Sequence, residues 1–545
     1  MKKWQTKEEL TDLLCSIVQY QSITGSNAEI AIAEYLYHIL SQKEYFQQNT
    51  NHLNLHPLED GRRLLTALVK GKKQKKETII LLSHFDVVGV EDFGSLRNLA
   101  FHPLELTQEL TKLKHQLPEY VQKDLEEGDW LFGRGTMDMK AGLALHLAMV
   151  ERAMCGEFDG NVLLLSVPDE EVNSSGMLTA LPILKQLKET ENIEYNACLN
   201  GEPMFSKYPG DPNHYVYTGS IGKVLPGFYC YGKESHVGEP FAGINPNLMI
   251  SFLSQQMELN EAFIEQLDEE ITPPPVSLMH RDLKEEYSVQ TPQSAIAMYN
   301  VLYLKQSFEE LNKKLLDSAN QAARQTEAYV QEKAKHFAKV AKDFTMPASK
   351  VNVFMYEELY QEAVNRYGQE EINRRQNLLG SQREQGDRDF STLLVQELAA
   401  MCNDLAPLIV LFYSPPFYPA VSSHHDPYIQ HVMQDIIQFA KKEDNIDLVN
   451  SEFFTGLSDL SFVGPVTSNS RIKQLTTNMP LQNNGFVFPE DVMDQLEMPV
   501  LNIGPLGKDA HQWTERLELN YSFKSLPTII SRAIQQLLAG SPKRQ

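Results

Sequence analysis

The stretch NVLLLSVPDEEVNSSG, Asn161 to Gly176, decides the fold. It opens as a short continuous apolar run, the composition of a strand buried on both faces, and closes on three successive acids, Asp169, Glu170 and Glu171. Acids at a strand end are usually solvated turn residues. They take on another meaning if neighbouring strands deliver partners to the same edge.

Other runs do deliver them. TIILLSHFDVVG ends in His84 and Asp86, NACLNGEP ends in Glu202, and PVLNIGPLGKDAHQWTE leads to His511. Between the first two strands, GDWLFGRGTMDMKAGLALHLAMV places Asp138 in a glycine-rich turn before a helical pattern. In a parallel sheet, ligands bind at the carboxyl ends of the strands. Two histidines and three or four carboxylates are therefore expected to converge there. That donor set suits a pair of divalent ions, zinc first, with cobalt or manganese as alternatives. One carboxylate bridges ions ~3.5–4 Å apart, and the short side chain of Asp138 fits that place. Of Glu170 and Glu171, one ligates and the other takes a proton from the attacking water. Asp86, two residues after His84, accepts the free imidazole N–H and fixes the tautomer.

Working outward, helices are expected at about 5–20 and 27–43. A hairpin follows over RRLLTALVKGKKQKKETIILLS, whose basic loop from Lys70 to Lys76 reads as a solvated turn. Short apolar runs alternating with helices predict a largely parallel sheet covered on both faces. After about residue 215 the character changes. GKVLPGFYCYG and SAIAMYNVLYL alternate apolar and polar residues, helices are expected at 246–258 and 307–341, and KVNVFMYEELY reads as a last strand. This predicts a separate α+β unit with one exposed sheet face. Residues 358–404 read as polar helix with a loop. PLIVLFYS and MPVLNIG return to buried-strand composition, and SLPTIISRAIQQLL is an amphipathic helix. The expected architecture is an α/β domain over 1–215 and 405–545, interrupted by an α+β domain over 216–404.

The totals agree with a globular protein of more than one domain: 545 residues, 42% hydrophobic and 22% charged. A net charge of -23 disfavours nucleic acid and anionic membranes as partners. The cysteines, Cys15, Cys155, Cys198, Cys230 and Cys402, are odd in number and include no CxxC pair, which points to a reducing, cytoplasmic setting. MKKWQTKEELTDLLCSIVQY has acids where a signal peptide would be apolar and reads as an amphipathic helix. No apolar run reaches the ~18 residues of a membrane span.

The same residues resemble the M20 family of metallopeptidases and amidohydrolases, which includes acetylornithine deacetylases, succinyl-diaminopimelate desuccinylases, aminoacylases and carboxypeptidases. The family's H-x-D-x-V motif stands here as HFDVV, its G-R-G-x-x-D-x-K as GRGTMDMK, its D-E-E as PDEE, its E-P as GEP and its A-H-x-x-x-E as AHQWTE. The resemblance covers roughly 1–250 and 405–545. It implies a zinc-peptidase-like α/β catalytic domain with a mixed, mostly parallel sheet, interrupted by an α+β lid and dimerisation domain. It implies His84 and Glu202 on one metal, Glu171 and His511 on the other, Asp138 bridging, Glu170 as general base and Asp86 behind His84. In ESHVGEPFAGINP it implies that His236 contacts the substrate carbonyl, often across a dimer, and that Asn245 lies near the substrate.

There are departures. Where the family's lid often carries D-x-R, whose arginine holds a substrate carboxylate, YNVLYL puts Asn300 and Leu302. The segments 103–128 and 358–404 look like insertions. His102, His146, His424 and His425 match no ligand position. The expected activity is hydrolysis of an amide bond in a small N-acyl amino acid or short peptide by a metal-activated water, with a link to arginine or other amino-acid catabolism that rests on resemblance. A dipeptidase or carboxypeptidase is the alternative. A non-catalytic binding protein on the same fold is the rival from another class, and the complete ligand set together with Glu170 argues against it.

Overall fold

The computed structural model describes residues 3–208, 210–267, 270–341, 344, 350–467 and 472–540. The chain divides into two compact units, one of 1–221, 421–466 and 491–545, the other of 222–420 and 467–490.

The first unit is built on an eight-stranded sheet. Its strands run in the spatial order Leu53–Pro57, Arg63–Val69, Asn161–Val167, Glu77–His84, Glu194–Asn200, Val500–Asn502, His214–Tyr217 and Leu448–Ser451. The four central strands from Asn161–Val167 to Val500–Asn502 are mutually parallel. Strand residues alternate between faces. Ile79, Leu81, Val162 and Leu164 join one core with residues of helices Lys7–Val18, Lys140–Met154 and Leu526–Ala539. Ile80, Leu82, Leu163 and Leu165 are just as buried, and helix Ser175–Thr190 packs against Arg63–Val69 and Asn161–Val167. Cover on both faces is why these strands read as continuous apolar runs. Truncating one such side chain, for example Leu164→Ala, is expected to cost about 2–5 kcal/mol. Helix Lys7–Val18 starts at a capping box in which Thr6 and Glu9 satisfy each other's backbone N–H groups.

One expectation about this sheet is overturned. Arg63–Val69 and Glu77–His84 are not a hairpin, because Asn161–Val167 lies between them, antiparallel to the first and parallel to the second. A strand that is apolar throughout carries no mark of which neighbour it pairs with.

The second unit has a five-stranded sheet in the order Val276–Asp282, Ser294–Tyr303, Gly222–Tyr231, Leu408–Tyr418 and Asn352–Met355. All pairs are antiparallel except the last. Helices Pro246–Met257 and Phe308–Ala338 pack together on one face, where the Tyr299 hydroxyl meets that of Ser254 at 3.0 Å. The expected open face is covered over the central strands. Tyr356, Leu359 and Ala363 of helix Tyr356–Tyr367, with Val395 and Leu398 of Asp387–Met401, form a core with Tyr229, Ile296, Val410 and Phe412 on the other face. The apparent insertion at 358–404 is thus the second cover of this sheet. It reads as polar because each helix contributes only one narrow apolar stripe.

The domain limits shift accordingly. Leu408–Tyr418 pairs with Gly222–Tyr231, so the return to the first unit falls at 421 rather than 405, and 467–490 belongs with the second unit. Double burial gives PLIVLFYS the composition of a strand from either sheet.

Candidate metal centre

Three adjacent strand ends build the site. His84 is the last residue of its strand and lies level with Val167, so the turn PDEE begins beside it. The first of the three acids is structural. Asp169, in the left-handed region at φ 71°, accepts from Arg62 Nη1 at 2.8 Å and from the Ser175 backbone N–H at 3.0 Å. Its own N–H donates to buried Glu29 at 3.1 Å. Asp86 holds the other two: Oδ1 accepts the Glu170 N–H at 3.1 Å and Oδ2 the Glu171 N–H at 3.2 Å. Thr24 donates to Asp86 Oδ2 at 2.9 Å. Asp86 therefore fixes the turn as well as the imidazole. His84 Nδ1 lies 3.1 Å from the Asp86 carbonyl oxygen and 3.4 Å from its carboxylate.

Two glycines let the neighbouring segments close on Glu202. A Cβ at Gly142 would sit 2.1 Å from the Gly201 carbonyl oxygen, and one at Gly504 would sit 1.8 Å from that of Glu202. Helix Lys140–Met154 and the segment after strand Val500–Asn502 therefore pack directly onto the chain that carries Glu202.

The side chains meet around Asp138. His84 Nε2 is 3.3 Å from Asp138 Oδ1, 3.4 Å from Glu202 Oε1 and 3.8 Å from Glu170 Oε2. His511 Nε2 is 3.1 Å from Asp138 Oδ2 and 3.2 Å from Glu171 Oε1. His84, Asp138 and Glu171 form one group able to hold an ion, and His84, Glu170 and Glu202 another. Among the described residues the buried Nε2 of His84 has no hydrogen-bond partner of good geometry although acceptors surround it, which is what a nitrogen shaped to donate a lone pair to a cation would show. Imidazole and carboxylate donors together fit a divalent metal.

The electrostatics agree. Burial, joined by the charges of Glu202, Asp459 and Glu171, pushes the Glu170 carboxyl well above its ordinary range, against the pull of His84. Burial likewise raises Glu202. For His511 burial acts downward, but hydrogen bonds to Asp138 and Glu171 outweigh it and push the imidazole up to about 11. Without ions the cluster retains protons. A divalent cation would displace them.

The late motifs also lock to one another. Arg134 of GRG donates to Glu515 of AHQWTE at 2.7 Å and to Asp92 at 3.0 Å, with Arg134 and Glu515 both buried. This joins the turn of Asp138 to the hairpin of His511. The sequence pattern assigns no role to Asp169, Glu29, Arg62, Asp92 or Glu515. The available signal was charge in apolar surroundings, as in AEIAIAEYL around Glu29.

His236 and Asn245 lie in the second unit. His236 is exposed, and its Nδ1 accepts from the Gly238 N–H at 3.0 Å. Asn245 caps helix Pro246–Met257, accepting from the Asn247 N–H at 2.9 Å. Leu302 stands directly across from Lys223 in the sheet, so a lysine shares this position's face. Of the histidines without an expected role, His146 is buried with Nδ1 2.7 Å from the Ser83 hydroxyl, and His424 meets Thr218 at 3.0 Å.

A mixed α/β unit that gathers two histidines and four carboxylates at the carboxyl edge of its parallel strands is that of a metal-dependent hydrolase. The sequence model of Peptidase family M20/M25/M40 matches residues 80–469, and the chain belongs to this family. The chain is 52% identical to the uncharacterized protein YqjN of Bacillus subtilis (strain 168), over 99% of this chain and 98% of that one. It is 31% identical to Protein RocB of the same organism, over 97% of this chain and 95% of that one. Among solved structures it resembles a tripeptidase from Staphylococcus aureus, with a TM-score of 0.52 at 12% identity, covering 98% of this chain and 100% of that one. That likeness concerns the fold. Among the described residues no helix is long and apolar enough to cross a membrane.

Proposed function

We propose that the protein is a two-metal hydrolase that cleaves the amide bond of a small N-acyl amino acid or short peptide. The observation that carries the reading is the sharing of Asp138, with His84 at one carboxylate oxygen and His511 at the other. In this reading His84 and Glu202 would hold one ion, Glu171 and His511 the second, and Asp138 would serve both. When bound, such ions supply Lewis acidity to the amide carbonyl and make a water acidic enough to attack near neutral pH.

The chain's own residues do the rest. Glu170 is anchored by its backbone to Asp86 and its carboxylate stands 3.8 Å from His84 Nε2, beside the ion-holding groups, where it would take the proton of the attacking water and return it to the leaving nitrogen. Its raised proton affinity matches that task. Asp86 and the carbonyl beside it orient His84. His236 supplies a donor to the developing oxyanion and Asn245 lies near the substrate, both on the strength of the family resemblance.

Zinc as the ion, a cytoplasmic location and a homodimer through the second unit complete the proposal. So does a link to arginine or other amino-acid catabolism, supported by the full-length similarity to RocB. The test is turnover of a panel of N-acyl amino acids against di- and tripeptides with zinc, cobalt or manganese added. Hydrolysis of N-acyl amino acids is expected. Turnover of peptides alone would make the protein a peptidase, and no turnover with any metal would favour a binding role.

A further inference from the structure

His511 is poorly placed to fix itself. Its side chain is 48% exposed, and its backbone lies in the left-handed region at φ 63°, which non-glycine residues rarely adopt. What holds it is the base of its hairpin. Gly507–Lys508 pairs with Arg516–Glu518, with Lys508 directly opposite Arg516, and Arg516–Glu518 pairs with Trp130–Phe132.

Both of those basic residues end on one carboxylate. Asp124, 2% exposed, sits in helix Glu119–Glu127, which Gly128 closes. Arg516 grips Asp124 Oδ2 with Nε at 2.8 Å and Nη2 at 2.7 Å. Lys508 Nζ reaches Oδ1 at 2.8 Å and Oδ2 at 3.0 Å. Arg516 is fully buried and stacks over Tyr120, Trp130 and Phe132, 5.5 to 5.7 Å from their ring centres. From there Nη1 also ties Asp509 and the Thr514 carbonyl, the latter at 3.0 Å, on either side of His511.

We infer that the segment 103–128, which looks like an insertion in the sequence, is a brace for His511, and that Asp124 is its positioning residue. One carboxylate staples both arms of the hairpin, so the imidazole is presented to Asp138 and Glu171 at a fixed place. This rests on the reading of His511 as a metal ligand. Partners that orient metal ligands are typically worth about 10- to 100-fold in metal affinity.

The experiment titrates zinc into metal-stripped protein against a chromophoric chelator, counting ions and their affinities, with thermal unfolding of the metal-free forms alongside. Asp124→Asn is expected to weaken one of two ions by about 10- to 100-fold and leave the other at wild-type affinity. Lys508→Met, at a position 36% exposed and so gentler on the fold, should weaken the same ion less. His511→Ala identifies that ion by losing it. If Asp124→Asn does not fold, Lys508→Met decides alone. Folded variants that melt earlier but bind both ions as the wild type does would overturn the brace, since Asp124 would then serve stability only. If His511→Ala keeps both ions at wild-type affinity, the metal reading of His511 fails, whatever Asp124 does.

Discussion

His84 and His511 approach opposite oxygens of Asp138, at 3.3 Å and 3.1 Å, from a strand end and a hairpin 427 positions apart in the chain (511 − 84). No other carboxylate of the cluster is within ion-pairing distance of both imidazoles among the described residues. Asp138→Asn keeps the shape but replaces one oxygen donor with an amide nitrogen that has no free lone pair. The variant is therefore expected to lose affinity for both ions together, and all turnover with it. Elemental analysis checks this. Two metals per chain still bound by the variant would remove Asp138 as the bridge.

Glu170 and Glu171 are neighbours with both backbone N–H groups on Asp86, yet only Glu171 touches His511. They should fail differently. Glu171→Ala is expected to weaken one ion. Glu170→Ala, although Glu170 stands in one ion-holding group, leaves His84, Asp138 and Glu202 on that ion, so it should keep both ions and lose about 10²–10⁴ in kcat, the usual worth of a positioned acid–base group. Metal content and turnover measured on both variants separate the cases. The reverse pattern would swap the roles, and no effect from either would return the acids to an ordinary solvated turn.

How much of this site was legible follows from where each residue sits. His84, Glu170, Glu171 and Glu202 follow apolar runs, and a parallel sheet brings such ends together whatever the strand order. The sequence reading could therefore misplace Asn161–Val167 in the sheet and still gather the cluster. The strand order itself was not legible, because strands covered on both faces pair equally well on paper. For the same reason the composition of Leu408–Tyr418 suits a strand of either unit, and only its pairing with Gly222–Tyr231 places it in the second. Asp169 looked equivalent to its neighbours, and only its contacts with Arg62 and Ser175 mark it as structural. Charges that act through long-range partners, such as Asp124 and Asp92, carry no local signature.

His236 gives a test of the second unit. If it supplies an oxyanion donor, His236→Ala should cut kcat by about 10²–10³ and leave metal content unchanged, since His236 belongs to neither ion-holding group. An unchanged kcat would take it out of the reaction. If the donor acts across a dimer, mixing this variant with Glu170→Ala should restore part of the activity. A mixture that stays dead would favour action within one chain.

Asp459 yields a prediction about pH. It is 2% exposed, and burial outweighs the hydrogen bond that Ser174 offers it. Burial pushes its carboxyl up to about 7 from an ordinary value of 3.8. The folded state thus binds a proton that the unfolded chain has released, over a window from about pH 4 to about pH 7. In that window the folded state holds more protons than the unfolded one, so stability falls as pH rises, and above it the whole penalty of a buried charge remains. Asp459→Asn removes the charge at nearly constant volume. In metal-free protein the variant is expected to melt several degrees above the wild type at pH 8, at roughly 2–4 °C per kcal/mol for a domain of this size. The gain should shrink through pH 6 and disappear only below about pH 4, where the unfolded chain takes up the proton as well. Melting curves with chelator at pH 4.5, 6 and 8 measure it. A variant no more stable than the wild type at pH 8 would mean that the Asp459 carboxylate is better stabilised than its surroundings indicate, and the predicted pH dependence would fail with it.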